Sequence, residues 1–141
     1  MSITLTDEAR RYIAVFETLT EATAVDCVID EDRDRVLYVV TAGEMGQAIG
    51  PDGTRVNRLE DRLNMDVELV EDAPTPEGFV ANALSPAAVY NVTISKNNDV
   101  VAYAEVDHAD KGAAIGREGR NIEAAKLLAR RHFDIDDIQL T

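Results

Sequence analysis

The sequence has no tryptophan, one cysteine, two histidines and aromatic residues at only 5% of its 141 positions. With Cys27 alone, no internal disulfide can form, and a reducing compartment is expected. Without tryptophan, Val, Ile, Leu and Ala must fill a core drawn from the 45% of residues that are apolar. His108, His132 and Cys27 make no metal-ligand spacing, so no metal is expected. The longest apolar run, Val36–Val40, is far short of a membrane span. The start, MSITLTDEARR, lacks a basic segment ahead of an apolar stretch, so no signal peptide is expected. A soluble, cytoplasmic protein follows. Lysine is scarce too: Lys96, Lys111 and Lys126 are three of 14 cations, the rest being Arg, against 27 acids. A net charge of −13 with little Lys and much Ala and Thr fits a surface adapted to molar salt. There, repulsion is screened within about 3 Å, so global charge does not exclude an RNA partner.

Sites for chemistry are missing as well. Ser85 and Ser95 have no nucleophile-elbow context. The acidic loop Asp30–Arg35 lacks the ligand order of an EF-hand. His108 beside Asp107 and Asp110 reads as a polar turn. Tyr12, Tyr38, Tyr90 and Tyr103 lie on apolar or alternating runs and read as core or contact residues. No enzyme, cofactor or small-molecule substrate is expected.

What the sequence does have is glycine in two places. GQAIGPDG, residues 46–53, returns as GAAIGREG, residues 112–119, at an offset of 66. Seven of the eight glycines lie in or beside these stretches. The surrounding pattern repeats with them. Ala9, Tyr12, Ile13, Phe16 and Leu19 mark a helix over 7–19, with Thr6 as its N-cap. Strands follow at Ala24–Ile29 and Val36–Thr41, then the first glycine loop. A helix through Val56, Leu59 and Leu63 leads to a strand at Val67–Glu71. EDAPTPEG marks a linker. A second copy runs through a helical piece at Phe79–Leu84, a hairpin of Ala88–Ser95 and Val100–Val106, and a short helix at Asp110–Ile115. After its glycine loop come a helix at Ile122–Arg131 and a strand at Phe133–Leu140. The last strand aligns at an offset of 68. The domains read as 1–73 and 74–141.

Three causes compete for the glycines: a bare helix-to-helix turn, a nucleotide loop, or a clamp on a polynucleotide backbone. The P-loop and dinucleotide fingerprints are both absent. In a clamp, side-chain-free positions let the main chain approach phosphate, and amides at the next helix start face the anion. Ile49 and Val56, then Ile115 and Ile122, sit where an apolar groove for bases would need them, and where plain core packing would too.

Ile-Gly-x-x-Gly within helix–strand–strand–helix–loop–helix–strand resembles a K-homology (KH) domain, whose loop clamps about four nucleotides. Two copies, with FVANALSPA and AIGREGRNIEAAKLLA in the second, resemble the KH pair of the NusA family of transcription factors. The length leaves no room for the extra domains of bacterial members, so the similarity is to the short archaeal form. The resemblance implies an α+β fold of two tandem type II KH domains (α-β-β-α-α-β), each a three-stranded sheet packed by helices. It implies single-stranded RNA as partner, RNA polymerase as a second partner, and a role in termination or antitermination. The RNA-contacting residues would be Ile49, Gly50, Pro51, Asp52, Gly53, Arg55 and Arg58 in the first domain. In the second they would be Lys111, Ile115, Gly116, Arg117, Glu118, Gly119 and Arg120.

The copies differ in charge. Residues 110–132 hold six cations against three acids, while 43–63 hold three against four. Pro51 offers no N–H and Asp52 adds a negative charge, so the second domain is expected to be the stronger RNA contact. The rival expectation is a protein-interaction module docking on polymerase or ribosome, with RNA incidental.

Overall fold

The computed structural model describes residues 3–141, which separate into two compact units, Thr4–Asp72 and Ala73–Thr141, Ile3 grouping with the second. In the first unit, helix α1 (Asp7–Thr20) leads to β1 (Ala24–Asp30) and β2 (Arg35–Val40). Helix α2 (Met45–Ile49), a 3-10 turn, helix α3 (Thr54–Leu63) and β3 (Asp66–Glu71) complete it. The second unit repeats the order with α4 (Pro76–Ala83), β4 (Val89–Lys96), β5 (Val100–Val106), α5 (Lys111–Ile115), α6 (Arg120–Phe133) and β6 (Asp137–Leu140). Each sheet runs in sequence order, its first pair antiparallel and its second parallel. This is the α+β architecture of two three-stranded sheets packed by helices.

Thr6 caps α1 as its position suggests, its hydroxyl oxygen accepting from the Ala9 N–H at 3.0 Å. Thr6→Ala removes that partner and is expected to cost about 1 kcal/mol. Thermal unfolding of the variant checks this, and an unchanged midpoint would show the cap to be idle.

The first core forms where α1 and α3 cover the sheet. Phe16 stacks on Tyr38 with ring centroids 4.6 Å apart. The Tyr38 hydroxyl donates to the Tyr12 carbonyl at 2.8 Å. Burial pushes this phenol well above its ordinary pKa, so it stays a neutral donor. Ala9, Cys27, Val36, Val40, Ala48, Leu59 and Val67 fill the space around the two rings. β2 is buried along its whole length, which explains an unbroken apolar run where a one-faced strand would alternate. In the second unit α6 packs through small residues, Ala124, Ala125 and Ala129, with Leu128 and the ring of Phe79.

Three expectations fail in detail. The last strand does not start at Phe133. Helix α6 runs through Phe133, whose ring lies 5.3 Å from Phe79, and it ends at left-handed Asp134. The strand begins only at Asp137. Arg35 pairs with Asp66 and Val101 with Asp137, so the true offset of the last strand is 71, not 68. The second copy accommodates this with a 14-residue helix where the first has ten residues. Finally, Tyr90 and Tyr103, read as core or contact residues, are exposed, which removes the core alternative for both. Tyr90 sits at a bulge of β4, 64% exposed, and its hydroxyl donates to Asp107 at 2.6 Å. That bond holds the Asp107 carboxyl below its ordinary pKa and the phenol above.

Among the described residues, no helix is long and apolar enough to cross a membrane. None of their His, Cys, Asp and Glu side chains gather in a group that could hold a metal ion.

Candidate nucleic-acid interface

Each glycine loop lies between the short helix and the long one, inside the connection from the second strand to the third. The two follow the same path. Gly50 has φ 76° and ψ 171°, and Gly116 has φ 78° and ψ 169°. Asp52 and Glu118 are both left-handed, at φ 55° and 56°. Gly53 and Gly119 follow at φ 73° and 75°. Hydrogen bonds repeat with the dihedrals. Gly50 N–H donates to Gly46 O at 3.0 Å, and Gly116 N–H to Gly112 O at 2.8 Å. Gly53 and Gly119 each donate to the carbonyl of the first glycine of the loop at 3.1 Å. Two unrelated turn sequences, Pro-Asp and Arg-Glu, thus adopt one backbone.

The two glycines of each loop have different reasons to be glycine. The first occupies a region open essentially to glycine alone. It also has no room. A Cβ on Gly50 would stand 2.7 Å from Arg55 Cγ, and one on Gly116 would stand 2.8 Å from both Cβ and backbone N of Asn121. The second glycine is left-handed but spacious, with its nearest neighbours at 3.7 Å for Gly53 and 3.9 Å for Gly119. That open side is where another molecule's backbone could lie. Neither Gly53 nor Gly119 gives its helix a side-chain cap, and the first amides, of Thr54 and Arg120, donate instead to Pro51 O and Arg117 O of the turn.

Around the loops, Ile49 is 39% and Ile115 43% exposed, each closing its short helix just before the turn. Their neighbours Ala48 and Ala114 are fully buried. An apolar side chain is therefore half presented beside each loop. Val56 and Ile122, one turn into the following helices, are half-buried. Pro51, Asp52, Arg58, Arg117 and Glu118 are exposed, while Lys111 opens α5 and Arg120 opens α6, both half-buried. All these residues lie on the short helix, the loop or the first two turns of the long helix of their own unit.

Arg55 turns inward. Its Nη1 donates to Gln47 O at 2.9 Å and Thr20 O at 3.3 Å, and its Nη2 lies 3.8 Å from Glu21 Oε2. Its guanidinium is engaged by two main-chain carbonyls and the Glu21 carboxylate. The first loop keeps Asp52 and a proline that lacks an N–H. The matching residue 66 places on, Asn121, escaped sequence reasoning. Its Nδ2 reaches four carbonyl oxygens, of Leu84, Ser85, Ala113 and Ala114, at 3.0–3.4 Å. The signal was present in the repeat itself, which aligns Arg55 with Asn121.

The KH domain family profile matches residues 10–76, and the profile of the NusA-like second KH domain matches residues 76–141. The chain is 72% identical to the probable transcription termination protein NusA of Halobacterium salinarum over 141 residues, all of both chains. It is 61% identical to the protein of that name from Halococcus morrhuae over 140 residues, 99% of each. The crystal structure of APE1850 matches with a TM-score of 0.86 at 32% identity, covering 97% of this chain and 100% of that one.

Proposed function

Because this chain belongs to the archaeal NusA-like family of tandem KH proteins, in its halophilic branch, we propose that it grips nascent single-stranded RNA in its two glycine loops and acts with RNA polymerase in termination or antitermination. Its families are RNA-binding factors, not enzymes. One observation carries the loop assignment: the same strained path recurs twice, with an open, side-chain-free position ahead of a helix that has no side-chain cap. A left-handed Glu118 or Asp52 costs of order 1 kcal/mol, and such strain persists where a site needs it. The path lets phosphate approach Gly53 or Gly119 closely, while Ile49 or Ile115 offers an apolar flank to a base.

The second loop is the better clamp. Arg117 has the N–H that Pro51 lacks, and its guanidinium is exposed beside the turn. The first loop supports a second reading, docking of this unit on a protein, since Asp52 opposes phosphate and Arg55 is engaged elsewhere.

Titrating the amide spectrum with a short single-stranded RNA at molar salt tests the proposal. Shifts are expected in residues 46–58 and 112–124, larger in the second stretch. A spectrum unmoved in both stretches would leave only the docking reading.

A further inference from the structure

We infer that the residue five places after the first glycine of each loop, Arg55 in one and Asn121 in the other, is the positioning residue for the RNA-facing turn, and that Arg55 makes no phosphate contact. The inference rests on the reading that the loops hold RNA.

The two side chains differ in charge, length and shape, yet their acceptors correspond. Both reach the short helix before the loop, at Gln47 O for Arg55 and at Ala113 O for Asn121, which are themselves 66 apart. Both also reach the end of the unit's opening helix. Arg55 binds Thr20 O, the last residue of α1, and Asn121 binds Leu84 O and Ser85 O just past α4. Carbonyls at helix ends lack partners within their own helix. One donor side chain therefore ties three pieces of chain together across the loop: opening helix, short helix and the long helix that carries it.

In the first copy the side chain passes directly under the first glycine, where a Cβ would collide with Arg55 Cγ. In the second copy a Cβ on Gly116 would instead meet the Cβ and backbone N of Asn121, so there the first turn of α6 itself fills the space. In both, the bare glycine lets the long helix and its donor side chain close on the loop. The two versions exchange a guanidinium for a neutral amide, so what the position requires is a donor, not a charge. Arg55 spends its N–H groups on carbonyls and on Glu21. In the first copy Gln47 adds a brace, its Nε2 donating to Glu21 O at 2.7 Å, where the second copy has only Ala113.

Salt dependence separates positioning from contact. The full chain is titrated with a fluorescein-labelled single strand of about 12 nucleotides, long enough for two four-nucleotide clamps, and anisotropy is followed across a KCl series. Arg55→Ala and Asn121→Ala are each expected to weaken binding about tenfold, with the slope of log affinity against log salt unchanged. Arg55→Gln keeps a donor and loses the charge, and is expected to recover most of what alanine loses. Arg117→Ala, the control for a direct contact, is expected to reduce the slope by about 0.7. If Arg55→Gln is as weak as Arg55→Ala and shares that smaller slope, Arg55 is a phosphate ligand and the inference is overturned. Should Arg55→Ala fail to fold, the slope of Arg55→Gln alone decides. Loss in Arg117→Ala with none in the Arg55 and Asn121 variants also overturns the inference and leaves the loop reading standing. No loss in any variant overturns the loop reading, and the inference with it.

Discussion

Gly116→Ala is expected to destabilise the second unit by about 3 kcal/mol, lowering its melting temperature by roughly 12–24 °C. Two effects add. At φ 78° and ψ 169° any side chain is strained, by about 1–3 kcal/mol. The new Cβ also meets the backbone N of Asn121 at 2.8 Å, and the backbone cannot swing aside. Either the loop opens or α6 shifts its first turn, and the carbonyl bonds of Asn121 go with it. Gly50→Ala meets Arg55 Cγ instead, a side chain that can move at the expense of its own hydrogen bonds. It should therefore be the milder change. Gly119→Ala carries left-handed strain alone, about 1–2 kcal/mol, with no atom nearer than 3.9 Å. Thermal unfolding ranks the three. A Gly116→Ala protein that melts with the parent would show that the first glycine is not structural.

The second large effect concerns RNA. Gly119→Asp should weaken binding about thirtyfold, or about 2 kcal/mol, because a carboxylate then sits where phosphate approaches. Aspartate tolerates the left-handed backbone and the site has room, so the fold survives the change. This makes the second glycine a cleaner probe of binding than the first. Gly53→Asp should cost only about threefold, since Asp52 and Pro51 have already weakened that loop. Anisotropy titration with single-stranded RNA at moderate salt reads both. A larger loss from Gly53→Asp would reverse the assignment of the stronger loop. Equal binding by both variants and the parent would put RNA elsewhere on the molecule. The scale follows from salt. If about four phosphates are neutralised, a tenfold rise in salt weakens binding nearly a thousandfold, so hydrogen bonds and base burial must supply the rest.

Much of this was legible in the sequence because its signals are local. The repeat of glycines, the Thr6 cap and the hairpins each depend on residues a few positions apart. The direction of a side chain is not local. Arg55 reads as a cation next to a phosphate loop, and only the carbonyls of Thr20 and Gln47, 35 and eight residues away, turn it inward. Phe133 fits an alternating strand pattern, but Phe79 claims its ring and keeps it helical. Tyr90 lies in an apolar run, and a bulge in the ladder with Val106 and Glu105 leaves it exposed and bound to Asp107. In each case a distant partner decided between two local readings that were equally good.

The parallel pairing of β2 with β3, and of β5 with β6, has a mechanical consequence. Each loop hangs from the trailing end of one strand and the leading end of its neighbour. Tension applied at the loop would load that ladder along its length, so all its rungs resist together. Two antiparallel neighbours joined by a tight turn would instead unzip one rung at a time.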